Sequence, residues 1–462
     1  MSESAAMIFD RLGAAEPPAN TTTLFGTAVV MGGSIAGLLA ARVLADHAEQ
    51  VVIVERDELR DSTAARAGVP QSAQVHNLLP GGRVQLDRWF EGFSKEALAE
   101  GAMLATPDTF RAYYNGRLKV RTTETELLVS SRPFIESLIR RRTTALPNVG
   151  AVAGRAVGVE FSDDRVVGVR YENSDGTTAV QDADFVVDAM GRSSRLGDWL
   201  ERQGWAKPPM RRMNIDLNYT TGYFRRTSSS PDVVTGIAIW EVDTLPEGLA
   251  PAAISAVEGD RWMIMFGGYG DTKPGRTPEE FRRICAGLPD MFRPGVEDEL
   301  LGDIVGYTQA DSRRRDFHLL DRFPRGLVAV GDAVASFNPI YGQGMSSAAL
   351  HASCLSEYLR SGPSLGPARD FFALQRVVVD SAWQTSAIPD LALPHIDGPY
   401  PRGYKLAQRV AGQIVSATVT DAEIARRFNS VTFMRAHPDT LAKPGTVLRA
   451  IRANRRDRRA SR

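Results

Sequence analysis

The hexapeptide Gly32-Gly33-Ser34-Ile35-Ala36-Gly37 has residue types and a spacing that can hold a pyrophosphate. It ends a short apolar run, Thr27–Gly33, that reads as a buried strand. It opens Ser34–Ala45, a run of helix formers. A second apolar run, Val51–Asp57, completes a β-α-β unit and carries Glu55, 23 positions after Gly32. Gly32 permits the tight turn, and Gly37 lets helix and strand pack closely. The free N–H groups and positive end of the helix face the phosphates. Glu55 can accept hydrogen bonds from ribose hydroxyls and would repel a 2′-phosphate. Ser34 stands where a middle glycine is expected, but its small hydroxyl tolerates a phosphate. Gly32, Gly33, Ser34, Ala36, Gly37, Glu55 and the adjacent Arg56 are the first candidate cofactor-binding residues. Taken alone, such a turn also occurs as a glycine-rich strand–helix junction without a ligand.

A second segment lies far along the chain. Gly326–Ala333 (GLVAVGDA) reads as a buried strand, followed by Asn338-Pro339 and by Gly342-Gln343-Gly344-Met345. Singly, Asp332 reads as a cap at a strand end and Asn338-Pro339 as a turn. In this order they resemble the FAD-dependent monooxygenases of the aromatic-hydroxylase and epoxidase type, with the para-hydroxybenzoate-hydroxylase fold. The resemblance implies that Asp332 hydrogen-bonds the FAD ribityl chain, with Gly331 also among the cofactor-binding residues, and that Pro339 lies near the flavin ring. It also implies that Gly342, Gln343, Gly344 and Met345 open a helix toward the flavin N1/O2 edge, so Pro339 and Gly342–Met345 are the candidate catalytic residues. The physics agrees, since a helix N-terminus stabilises a reduced flavin's negative charge without a cationic side chain.

Arg132, in Ser131-Arg132-Pro133, resembles the family's FAD-contacting arginine. Asp188–Arg195 resembles a further family segment but has Met190 before Gly191, where the family has an aspartate that helps to position cofactors. Together with Arg66–His76 and the run Phe337–Met345, these segments look closest to the bacterial polyether epoxidases. His76 is a candidate FAD or substrate contact, or a loop histidine bonded to backbone.

The resemblance spans about residues 25–360. It implies FAD reduced by NAD(P)H, then reaction with O2 to a C4a-hydroperoxyflavin that delivers one oxygen atom. No second glycine fingerprint is visible, so nicotinamide would bind transiently or a separate flavin reductase would act. Tyr219, Tyr223, Phe224, Trp240, Trp262, Met265 and Phe266 are candidate pocket walls, and Asn338 joins Tyr219, Trp240, Met265 and His76 as a candidate substrate contact. Such a lining suits an apolar substrate, an alkene, polyene or aromatic polyketide. No base on the substrate stands out. A reductase of the geranylgeranyl type shares the fold and remains an alternative. A flavin halogenase would carry WxWxIP, and the six tryptophans never occur as WxW.

These residues need elements to position them. The chain has 462 residues, more than one hydrophobic core usually spans, so at least two lobes are expected. The expected fold is mixed α/β: a Rossmann-type FAD-binding domain (25–65, 125–200 and 310–360) interleaved with a substrate-binding sheet domain (66–124 and 201–309). A flexible leader, 1–24, would precede them, and a helical C-terminal region with a basic tail, 361–462, would follow. The fragments Asn115-Gly116, Asp163-Asp164 and Asn173–Gly176 mark hairpin turns. Ser131–Arg142 and Thr277–Leu288 open with helix-start signatures.

Composition excludes several classes. Hydrophobic residues make up 43% and charged residues 24%, as in ordinary globular proteins, so disorder, collagen and coiled coil are excluded. Net charge is zero, which argues against nucleic acid as a partner. That zero conceals a split, because Arg449–Arg462 carries seven arginines and one aspartate, a +6 tail on a −6 body. The tail could serve a non-catalytic protein that binds an acidic surface, though a solvated helix end is the simpler reading. Two isolated cysteines build no disulfide framework, and six histidines show no metal-ligand spacing, so no metal is expected. No apolar run spans a membrane and no secretory signal is visible, so the cytoplasm is the expected location.

Overall fold

The computed structural model describes residues 3–57, 66, 69–241, 249–361 and 367–460. Ala67 and Gly68 of the Arg66–His76 segment, and Ser461 and Arg462 of the basic tail, lie outside the described residues. A five-stranded parallel sheet runs in the order Leu327–Ala329, Phe185–Asp188, Phe25–Met31, Ala48–Glu55, Val149–Ala153. Its central strands are near-continuous apolar runs because both faces are covered, as parallel strands require. Helices Ile35–Leu44 and Gly344–Leu359 pack together against it, with Ile35, Leu38, Leu39 and Leu350 fully buried. The strands come from three separate stretches of chain, which makes this lobe discontinuous. A three-stranded meander, Arg155–Ser162, Arg165–Glu172 and Thr178–Asp182, leads into the Phe185 strand.

The second lobe is an eight-stranded sheet. Its order is Ala335–Ser336, Val305–Arg315, Met210–Arg225, Arg261–Tyr269, Leu249–Val257, Thr235–Ile239, Phe110–Tyr114, Arg117–Leu118. Neighbours are antiparallel except Thr235–Ile239 beside Phe110–Tyr114. Asn115 and Gly116 both have positive φ in the last hairpin, 49° and 74°, which the Asn-Gly pair permits. Strand alternation gives this sheet two buried faces. The outer face carries Phe224, Ala238, Ile254, Trp262, Ile264 and Phe266, sealed by Phe281 and Cys285 of helix Pro278–Ala286. The inner face carries Leu217, Tyr219, Ala253 and Met265, and packs on Ala387 and Leu391 of the C-terminal region.

Two stretches pack elsewhere than the sequence suggests. The expected leader contains a helix, Ala5–Leu12, capped by Ser4, whose Oγ accepts from the Met7 N–H. Its Phe9 and Leu12 are buried in the main core, and Arg11 pairs with Glu357. Apolar residues at three-residue spacing drive this docking, which composition alone obscures. Helix Pro80–Trp89, expected with the substrate sheet, buries Leu86 and Trp89 in the parallel-sheet lobe's core. A side chain at Gly82 would meet the Ser346 backbone at 2.9 Å, so glycine permits this close helix contact. Beyond residue 367 the chain is helical as expected, with Ala368–Asp390, Tyr404–Ala417, Ala422–Thr432 and Pro444–Ala460. Among the described residues no helix is long and apolar enough to cross a membrane.

Candidate active site

The fingerprint turn leaves strand Phe25–Met31 with Gly32 at φ +107°, where a Cβ would lie 2.6 Å from the Ala189 carbonyl oxygen. A Cβ on Gly37 would lie 1.8 Å from the Gly32 carbonyl oxygen. Glycine at these two positions is thus a steric requirement. Glu55 closes the turn from the next strand, accepting the Gly33 N–H at 2.5 Å and the Asp57 N–H at 3.0 Å. Arg56 is exposed, with Asp57 3.8 Å away. Ser34 makes no cap to its own helix. Its hydroxyl donates instead to Glu136 at 2.9 Å and accepts from Arg132 at 3.1 Å.

Glu136 is the hub of this end. Arg132 bonds it at 3.1 Å, Arg66 at 2.6 Å and Arg140 at 3.3 Å. Burial alone would raise its carboxyl, but Arg132, Arg66, Ser34 and Arg140 together hold it below the usual range. Ser131 caps the helix Arg132–Thr144 and so aims Arg132 and Glu136 at the fingerprint. His76 gives its Nδ1 to the Gln74 carbonyl at 2.7 Å, and burial together with Arg132 pushes it down to about 4. It is therefore neutral.

The turn after strand Leu327–Ala329 meets the fingerprint helix directly. A Cβ on Gly331, at φ +60°, would come 2.5 Å from Ala36 Cβ. The Gly331 N–H donates to His351 Nδ1 at 2.9 Å, and burial pushes this histidine down to about 3. Asp332 faces Arg192 and Arg132, yet burial raises its carboxyl. Farther on, Asn338 caps the turn Pro339–Tyr341 by accepting the Ile340 N–H at 3.2 Å. Gly342 then takes φ +66° and helix Gly344–Leu359 begins. Gly344 is exposed, and a Cβ there would meet nothing within 4 Å. Gln343 is buried and donates to Thr385 at 2.7 Å, and Met345 is buried beside it. Gly344 is thus the exposed residue at the start of this helix, while Met345 and Ser346 behind it are buried.

The candidate substrate contacts divide by parity. Tyr219, Met265 and Asn338 come together with Ile340 between the sheet's inner face and the Pro339 turn. Tyr223 shares the inner-facing parity of Tyr219 and donates to the Ala73 carbonyl at 3.2 Å. Trp240 falls on the other side. It follows Ala238 by two positions and packs with the outer-face core, as do Phe224, Trp262 and Phe266. Aromatic content pointed to these four, but strand alternation turns them away from the cofactor lobe.

The sequence profile described as FAD binding domain matches residues 26–361. The chain belongs to this family. This FAD-binding-domain protein is similar to Protein Rv3254 of Mycobacterium tuberculosis (strain ATCC 25618 / H37Rv), at 32% identity over 420 residues, 87% of this chain and 88% of that one. It is also similar to para-nitrophenol 4-monooxygenase of Pseudomonas sp. (strain WBC-3), at 24% identity over 354 residues, 73% and 78% of the two chains. Among solved structures, the flavin-dependent brominase Bmp2 matches its fold with a TM-score of 0.63 at 16% identity, over 95% of this chain and all of that one. The fold is that of the flavin monooxygenases of the para-hydroxybenzoate-hydroxylase type.

The residues of this FAD-binding-domain protein fit the cofactor on three counts. The fingerprint helix carries no side-chain cap, Gly344 at the start of its helix leaves room for a neighbouring group, and Arg66 Nε and Nη1 are buried beside the turn with no hydrogen-bond partner among the described residues, Nη1 lying 3.8 Å from Glu55 and 3.9 Å from Asp57. Such orphan donors suit an anionic ligand. Sequence reasoning reached Arg66 only as the start of the Arg66–His76 segment and missed Glu136 and His351 as parts of this end. Arg132, Glu136 and Arg140 at four-residue spacing were the available signal for Glu136.

Proposed function

We propose that this chain is an FAD-dependent monooxygenase that places one oxygen atom from O2 in a small, largely apolar substrate, by epoxidation or hydroxylation. The observation that carries this reading is the exposed Gly344 at the start of its helix, on the same segment as Asp332 and just after the Pro339 turn, whose Ile340 packs on the sheet's inner face. FAD, when bound, would supply the electron transfer and oxygen activation. The chain's own residues bind and orient it. Gly32, Gly33, Ser34, Ala36 and Gly37 would take the pyrophosphate, with Glu55 and Arg56 toward the ribose. Arg132, Gly331 and Asp332 would hold the ribityl side. Pro339 and Gly342–Met345 would line the ring, with helix N–H groups steadying negative charge on it. Tyr219, Met265 and Asn338 would shape the substrate side and keep water out. Electrons would come from NAD(P)H or a separate flavin reductase.

The test begins with flavin absorbance of the purified protein after FAD is added. NAD(P)H-driven turnover of an alkene and of a phenol under isotope-labelled O2 then follows, with product mass as the readout. Label in the product supports the reading. An alkene saturated without label would replace it with the reductase alternative, and no flavin uptake would remove both.

A further inference from the structure

Helix Ala368–Asp390 ends beyond the family match, in a carboxyl that none of the roles above uses. Asp390 is 1% exposed. Its Oδ1 accepts from Asn338 Nδ2 at 2.9 Å and from the Tyr341 hydroxyl at 3.0 Å. Its Oδ2 is buried with no hydrogen-bond partner among the described residues. The Tyr219 hydroxyl, from the sheet's inner face, is likewise buried with no hydrogen-bond partner among the described residues, and Asp390 is among the groups acting on it. Tyr269 and Tyr307 face the same cluster from the sheet. Tyr341 and Asn338 face it from the Pro339 turn, and His395 lies against the Tyr269 ring. Among the described residues, no lysine or arginine acts on Asp390. The hydrophobic cluster on this side of the sheet holds Ile215, Leu217, Met265, Ile340 and Leu391.

An unpaired buried polar atom is costly, more so when charged, and two in one cluster call for a reason. Ligand sites combine apolar walls with a few placed polar groups. We propose that Asp390 Oδ2, together with the Tyr219 hydroxyl, anchors a hydroxyl or N–H donor on the substrate. The substrate is then a ring or chain bearing such a donor rather than a bare hydrocarbon. This inference rests on the flavoenzyme reading above. Burial pushes the carboxyl up to about 7, so near neutrality it shifts from a proton-bearing group to a pure acceptor as pH rises. Recognition of a donor should strengthen in the same direction.

The test uses FAD-loaded enzyme titrated with phenol and with its methyl ether, anisole, followed by the perturbation of flavin absorbance. Wild type should prefer phenol by about tenfold or more. The preference should grow between about pH 6 and about pH 8, a range in which phenol itself stays neutral. Asp390→Asn keeps an oxygen for Asn338 and Tyr341 but replaces the acceptor. It should abolish both the preference and its pH dependence while flavin content is unchanged. Tyr219→Phe, a second variant should the first fail to fold, should weaken phenol binding alone. Equal binding of the two probes, binding of neither, or a preference that survives both substitutions would overturn the proposal. Failure of wild type to take up FAD would instead remove the flavoenzyme reading on which it rests.

Discussion

Glu136 holds three arginines and the Ser34 hydroxyl beside the fingerprint turn. Replacing it with Gln leaves buried guanidinium charge uncompensated, a change of the kind that costs about 3–5 kcal/mol. The expected outcome for Glu136→Gln is a lower melting temperature and loss of FAD on gel filtration. Because the folded carboxyl is held below its unfolded value, its stabilisation is complete above about pH 4.3 and is lost as pH falls further. Wild-type stability should therefore show an acid limb that Glu136→Gln flattens, which denaturant titrations at stepped pH would measure. His351 acts in a different pH window. Its folded pKa lies near 3, against about 6.5 unfolded, so it contributes stability above about pH 6.5 that declines as pH falls toward 3. His351→Ala strands the Gly331 N–H and should cost about 1–3 kcal/mol in chemical unfolding.

At the scale of elements, two glycines predict opposite results. Gly37→Ala drives a methyl into the Gly32 carbonyl, so the strand–helix unit must shift and soluble yield should collapse. Gly344→Ala meets no protein atom, so the flavin-free protein should melt at or above the wild-type temperature while FAD affinity falls. Sheet parity gives a second contrast. Trp240→Phe, on the outer face, should leave turnover and substrate preference unchanged, whereas Met265→Ala, on the inner face, should alter preference, as a substrate panel would show. The fingerprint turn, the Asn115-Gly116 hairpin and the helix that starts around Pro133 were legible in sequence because each is local chemistry. Which aromatic residues face the site was not, because parity depends on where each strand enters its sheet. Asp390 carried no signal, since its meaning comes from Asn338, 52 residues away in sequence.

At the scale of the molecule, the two-lobe plan was readable from motif spacing, since the flavin motifs bracket the aromatic sheet segments. Where the termini dock was not. The amino-terminal helix looked like a leader because its short apolar stripe is set in a polar stretch, yet Phe9 and Leu12 join the main core. Phe9→Ala should cost about 3–5 kcal/mol, read as a shift of the denaturant midpoint. The parallel sheet has a further consequence for how the protein is made. Strand Phe185–Asp188 pairs on one side with Phe25–Met31 and on the other with Leu327–Ala329. A ribosome that has passed residue 188 must synthesise the whole intervening sheet before the last partner emerges. Throughout that interval the nascent chain presents an apolar, unpaired strand edge, the kind of surface on which aggregation begins. Expression of this protein should therefore respond to chaperone supply and to elongation speed over residues 189–327 more than to the stability of the finished fold.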